Sequence, residues 1–325
     1  LIPELGTSER HISPFALLAL EDAPTRHLTR SAIYAKFKYL QEALPLPAVP
    51  TKKPKRIRIG YFSADFKEHA VAHLIAKVFE LHNRDRFEVF GYSLHSNKQS
   101  KMRQRLAKSF DSFADVQGMC DKDVALQARQ DGIDIAIDLS GYTQSSRTGI
   151  FAYRAAPIQI NYLGYPGSMG AEFIDYIVAD PILIPEDKRQ HYSEQIVYLP
   201  HTYQPTDNTR VISDKAVTRE DMGLPDSGFV FCCFNNNYKI SPAEFDIWMR
   251  LLNSVEGSVL WLLKSNKLSE QNLKRQAEVR GISSERVVFA EKAPQAEHLA
   301  RQRLADLFLD TFNYNAHTTT SDALW

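Results

Sequence analysis

Apolar residues along this chain follow two alternating periods. Short apolar runs of strand length recur between longer segments with helical spacing. Residues 58–62, 87–94, 133–139, 158–163 and 176–178 read as strands, and 71–82, 101–108 and 121–130 as helices. Over 198–213 the pattern loosens, with Pro200, Pro205, Asp207 and Asn208 marking a connection. A second series follows, with strands at 229–234, 258–263, 286–289 and 306–309 and helices at 242–253, 270–280 and 296–303. Such alternation predicts parallel sheets covered by helices on both faces. The expected fold class is α/β, two doubly wound lobes with a cleft between them. Ligands of such sheets lie beyond the carboxyl ends of the strands. Residues 13–43 are predicted helical, and the proline-rich stretch 44–55 a linker. The expected organisation is a helical linker over 1–50, an N-terminal lobe over 51–205 and a C-terminal lobe over 206–325. The last residues open into a helix start at which the sequence ends, so the C-terminal lobe is expected to be truncated.

Composition narrows the function classes. Hydrophobic residues are 44% and charged residues 24%, with a formal net charge of zero, so nothing points to nucleic acid or an acidic membrane as partner. No apolar run approaches the ~18 residues of a membrane span. Cys120, Cys232 and Cys233 are the three cysteines. The adjacent pair lies in an apolar run and reads as reduced core thiols, and without a C-x-x-C pair a cysteine zinc site is not supported. With no signal-peptide pattern and Leu1 first, the expectation is a piece of a longer cytoplasmic protein. P-loop, dinucleotide-fingerprint and nucleophile-elbow motifs are absent from the sequence.

Several polar groups sit where strands end. Lys239 follows the apolar run 229–234 and precedes a helix start with a capping-box pair, Ser241 and Glu244, and Pro242 in first position. A lysine beside helix N–H groups suits a phosphate; a solvated lysine in an asparagine-rich turn is the competing reading. His298 and Arg301 are three apart on one predicted helix face and could flank a nucleobase, or could be routine polar residues of an exposed helix. His69 and His73 are four apart, but no third metal ligand is evident, so no metal is expected. Thr143 and Pro166 lie in glycine-containing turns after predicted strands. The run His317, Thr318, Thr319, Thr320, Ser321, Asp322 resembles a helix start prepared for an anion or a sugar.

Taken together these strings resemble the catalytic region of the O-linked N-acetylglucosamine transferases, including their bacterial and SPINDLY-like relatives. The likeness rests on 58–66 (RIGYFSADF) with His69 and His73, 138–143 (DLSGYT), 156–167 (APIQINYLGYPG), 198–202 (YLPHT), 234–240 (FNNNYKI), 258–263 (SVLWLL) and 317–325 (HTTTSDALW). It implies two Rossmann-like lobes of the GT-B type. It also implies inverting, metal-independent transfer of N-acetylglucosamine from UDP-GlcNAc to Ser or Thr hydroxyls of a protein or peptide acceptor, with no cofactor. By position, Lys239 matches the family's diphosphate-binding lysine, and His69 a histidine once proposed as general base. The donor-binding set would be Asn236, Gln295, His298, Arg301, His317, Thr318, Thr319 and Asp322, with Thr143 and Pro166 from the first lobe. Gln295 replaces a nucleotide-contacting lysine, and Tyr314 stands where animal enzymes have a small residue beside the N-acetyl group. The long insertion of the animal enzymes is absent between Thr202 and Phe229. Residues 13–43 would be the tail of a tetratricopeptide array or a linking helix. Protein O-fucosylation from GDP-fucose, or a non-catalytic binding module of the same fold, are the alternatives.

Overall fold

The helical stretch expected over 13–43 breaks in two: α1 (Pro14–Leu17) and α2 (Pro24–Lys38). Pro24 disfavours helical backbone at the residue before it, and Ala23 accordingly has φ −146° and ψ 74°. This chain, a computed structural model, is described over residues 2–8, 11–39, 45, 54–95 and 100–325. The linker expected at 44–55 lies outside these except for 45, 54 and 55.

Two compact units divide the chain: Leu1–Leu17 with Ala23–Asn208, and Leu18–Asp22 with Thr209–Trp325. In the first, α2 is part of the packed body. It buries Arg30, Ser31, Tyr34 and Ala35, and the Ser31 hydroxyl lies 3.3 Å from that of Tyr165. Gly170, at φ +57°, lets the chain come so close that a Cβ there would sit 2.4 Å from the Ala32 nitrogen.

The first sheet holds β1 (Ile57–Ser63), β2 (Phe87–Ser93), β3 (Ser112–Asp115), β4 (Ile135–Asp138), β5 (Ile158–Asn161), β6 (Tyr176–Ala179) and β7 (Gln195–Tyr198). They lie parallel in the order β3-β2-β1-β4-β5-β6-β7. The helices between them are α3 (Ala70–Leu81), α4 (Lys101–Ser109), α5 (Asp121–Gln130) and α6 (Gly149–Ala152). Helix α3 forms because Ala72, Ile75, Ala76 and Phe79 fall on one face, which packs on Ile59, Tyr61 and Val89 of the sheet. Fully burying side chains of this size stabilises by about 1.5–3 kcal/mol each.

The second sheet is smaller, with parallel order β10-β9-β8-β11. Its strands are β8 (Val230–Cys233), β9 (Val259–Leu263), β10 (Val287–Ala290) and β11 (Leu307–Phe308). The accompanying helices are α7 (Pro242–Ser254), α8 (Lys267–Val279), α9 (Gln295–Arg301) and α10 (Thr318–Ala323). Alternate residues of β8 and β9 enter two separate cores: Phe231, Cys233, Leu260 and Leu262 on one side, and Val230, Cys232, Val259 and Trp261 on the other. Both faces are covered, which is why these strands read as unbroken apolar runs. Each unit is thus doubly wound α/β and Rossmann-like, as a GT-B chain requires. Among the described residues no helix is long and apolar enough to cross a membrane.

Strand order reverses between β1 and β4 in the first sheet and between β8 and β11 in the second. Those two reversals are where each sheet opens a crevice at its carboxyl edge.

Candidate functional site

In the second unit, β8 runs out into a 3₁₀ turn, Asn237–Lys239, and β11 into the segment 309–317 before α10. The two segments meet at Lys239. Its Nζ donates to the Asn315 carbonyl at 3.1 Å and sits 3.6 Å from the centre of the Tyr314 ring. Burial pushes the ammonium down from its ordinary 10.5 to about 8, partly offset by the carboxylate of Asp310 and the Cys233 sulfur. The His317 ring stands edge-on to Tyr314 at 5.8 Å. Burial, reinforced by the Lys239 charge, lowers its pKa to about 4, so it is a neutral imidazole at physiological pH.

Buried polar groups hold this loop. Asp310 Oδ1 accepts from the amides of Thr311 and Ala316, each at 2.7 Å, and from Asn235 Nδ2 at 3.1 Å. Asn235 Nδ2 also donates to Thr311 Oγ1 at 3.0 Å, and its Oδ1 accepts from the Thr319 hydroxyl of α10. Glu244, fully buried, accepts from the Ser241 amide at 3.1 Å and from the Phe312 amide at 2.6 Å. The capping box read from the sequence is therefore formed. The Glu244 carboxylate takes the amide of the N-cap residue Ser241 and ties the Phe312 amide to the start of α7, beside Lys239.

A second cluster lies after β10. Arg301 donates through Nε and Nη2 to His298 Nδ1, at 3.1 and 2.7 Å, and through Nη1 to the Glu291 carbonyl at 2.6 Å. Its guanidinium lies 4.9 Å from the Phe234 ring. Arg301 is buried and braces His298, so it is not a routine polar residue of an exposed helix. With Nδ1 accepting, the neutral ring of His298 (pKa lowered to about 4, by burial first and then by Arg301) carries its proton on Nε2. That Nε2 is 3.8 Å from Asp322 Oδ2, an acceptor; the Gln302 side-chain nitrogen, 3.2 Å away, is itself a donor and accepts nothing from it. Gln295 is half-buried in first position of α9, Thr318 half-buried in first position of α10, and Asn236 exposed, with its carbonyl accepting from the Lys239 amide. Helix α10 joins the two clusters, since Thr319 reaches Asn235 while Asp322 faces His298.

The remaining candidates belong to the first unit. His69 is the N-cap of α3, its Nδ1 accepting from the Val71 amide at 3.3 Å. Asp65 Oδ2 is 3.5 Å from the same nitrogen. The two partners demand opposite tautomers, and as arranged the ring caps the helix. To act as a base at Nε2 it would have to donate Nδ1–H to Asp65 instead. His73 pairs with Glu68 at 3.2 Å, so the two imidazoles engage different carboxylates. The Thr143 hydroxyl donates to the Ser140 carbonyl at 2.8 Å, closing the turn after β4. Pro166 lies in the turn after β5, where Leu163 takes a left-handed φ of 73° and Asn161 Nδ2 donates to the Tyr165 carbonyl at 3.3 Å. Asp138, at the end of β4, accepts from the amides of Ser140 and Gly141, and burial raises it to about 6 against those two bonds.

The strand-end pattern points to Lys239, His298, His317 and Asp322 but not to the residues that hold them. Asn235, Asp310 and Thr311 were unremarkable by spacing. Asp310 directly after a two-residue strand was the available signal, since a carboxylate there can collect the loop's amides.

Against known proteins, the profile of glycosyl transferase family 41 matches residues 35–217 and 209–325. A probable UDP-N-acetylglucosamine–peptide N-acetylglucosaminyltransferase, SEC of Arabidopsis thaliana, is 38% identical over 97% of this chain and 34% of its own length. The SPINDLY protein of the same plant, given the same probable activity, is 31% identical over 84% of this chain and 30% of its own. Among solved structures, a point mutant of the Thermobaculum terrenum O-GlcNAc transferase superposes with a TM-score of 0.85 at 28% identity, covering 99% of this chain and 61% of that one. The chain spans about a third of the length of these curated relatives.

Proposed function

Since the chain belongs to glycosyl transferase family 41, we propose that it forms the donor-binding and transfer region of an enzyme that moves N-acetylglucosamine from UDP-GlcNAc to Ser or Thr hydroxyls of proteins. The observation that carries this is the buried Lys239 ammonium, held against the Asn315 carbonyl and the Tyr314 ring and acting on His317 where the β8 and β11 segments meet. Glycosyl transfer from a nucleotide sugar leaves a nucleoside diphosphate, whose charge grows as the bond to the anomeric carbon breaks. A cation already desolvated and fixed at that point stabilises the transition state more than the ground state. Lys239 does this without a metal or other cofactor in the proposed mechanism. The acceptor hydroxyl attacks from the face opposite the departing diphosphate, which inverts the anomeric centre, and its proton passes to the released diphosphate or to water. His317 and Thr319 orient the phosphates and sugar, and His298 with Asp322 the nucleoside.

Donor choice tests the reading. Calorimetric titration with UDP and GDP, followed by transfer assays with UDP-GlcNAc and GDP-fucose, should show binding and turnover of the uridine donor. A preference for the guanosine donor would sink it.

The pH profile follows from the same lysine. kcat/KM reports ionisations of the free enzyme, so it should fall with unit slope above about pH 8, as Lys239 loses its proton. His317 and His298, held at about 4, should add no acidic limb above about pH 5. A profile flat from pH 6.5 to 9.5 would remove the Lys239 ammonium from the mechanism.

A further inference from the structure

Arg210 precedes β8 on an irregular segment, yet its side chain is only 2% exposed. Its Nη1 contacts Asp322 Oδ1 at 2.5 Å, and its guanidinium lies 4.4 Å from the ring centre of Trp325. The other two nitrogens, Nε and Nη2, are buried and have no hydrogen-bond partner among the described residues. As a stability device this is a poor one. Desolvating a charged pair offsets most of its attraction, and donors left unmatched add to the cost. What the contact does accomplish is geometric. With Oδ1 taken by Arg210, the carboxylate turns Oδ2 towards His298 Nε2, 3.8 Å away. His298 is itself fixed by Arg301. The row Arg210, Asp322, His298, Arg301 therefore spans the segment before β8, α10 and α9.

We infer that Arg210 is a positioning residue for donor recognition: it fixes the Asp322 carboxylate so that Oδ2, an acceptor, and His298 Nε2–H, a donor, together meet a hydroxyl of the bound nucleotide. This rests on the reading that a nucleotide donor binds at the carboxyl edge of the second sheet. Burial alone raises the Asp322 pKa and the Arg210 charge opposes that shift, so the arginine also favours the acceptor form. A lysine would supply the charge without the planar contact to Trp325 or the fixed direction of the N–H.

The test is a double-mutant cycle on the UDP Kd, with kcat and KM for transfer, using Arg210→Met, Arg210→Lys, Asp322→Asn and the Arg210→Met/Asp322→Asn pair. Arg210→Met should weaken UDP about 10-fold and raise KM more than it lowers kcat, while Arg210→Lys recovers part of the loss. In the Asp322→Asn background the same Arg210→Met change should cost less than about 2-fold, because its target is gone. An equal cost in both backgrounds, or a Kd within about 2-fold of the unsubstituted protein, overturns the inference. Thermal unfolding of each variant accompanies the titrations. If Arg210→Met does not fold, the cycle is run with Arg210→Lys, and equal affinities or equal costs then decide against it. Failure of the unsubstituted protein to bind UDP at all is a different result: it removes the donor-site reading itself, and this inference with it.

Discussion

Replacing Lys239 with Met is expected to lower kcat/KM for sugar transfer by about 10³-fold, equivalent to about 4 kcal/mol of transition-state stabilisation. The loss should appear in kcat more than in KM, because the ammonium matters most once charge has moved onto the diphosphate. The fold should survive. Lys239 is a desolvated cation whose contacts are one carbonyl and one aromatic face, so a thioether of similar length exchanges a cation–π contact for ordinary packing at little net cost. Far-ultraviolet circular dichroism and the melting temperature should stay near those of the unsubstituted protein. Transfer within about 10-fold of normal would show that another group neutralises the leaving diphosphate.

Asp310→Ala should act mainly through structure. It deprives the Thr311 and Ala316 amides and the Asn235 side chain of their shared acceptor, and a loss of about 3 kcal/mol in stability is expected. Segment 311–317 should then exchange its amide hydrogens faster, and activity should fall with it. Asp310→Asn separates the two roles of the residue. It keeps an oxygen for the amides but removes the charge that holds the Lys239 pKa up, so the basic limb of kcat/KM should move below about pH 8. Equal melting temperatures for Asp310→Ala and the unsubstituted protein would refute the bracing role.

The sequence made the layered α/β fold legible where strands are buried on both sides. Phe231, Cys232 and Cys233 announce β8, because each face of that strand meets a core and every position must be apolar. Two strands went unseen, β3 and β7. Both are edge strands of only four residues, so a period of two is too brief to register. At the site, Lys239, His298, His317 and Asp322 were found because polar residues directly after apolar runs mark strand ends. Their neighbours were not. The role of Arg210 depends on a contact across 112 positions of sequence, and that of Glu244 on one across 68. No local pattern records such pairings. Arg301 shows the same limit: helix spacing placed it beside His298 but could not say that Phe234 and the Glu291 carbonyl would draw it inward.

Leu18–Asp22 are counted with the second unit although the residues on both sides of them belong to the first, and within that unit the Ala19 carbonyl accepts from Asn313 Nδ2 at 3.1 Å. The polypeptide thus passes between the units three times, at 17–18, 22–23 and 208–209. One protease nick at any of these points would leave the halves tethered by the others. A piece begun at residue 209 would lack five residues of its own body, among them the anchor of the loop that carries Tyr314 and His317.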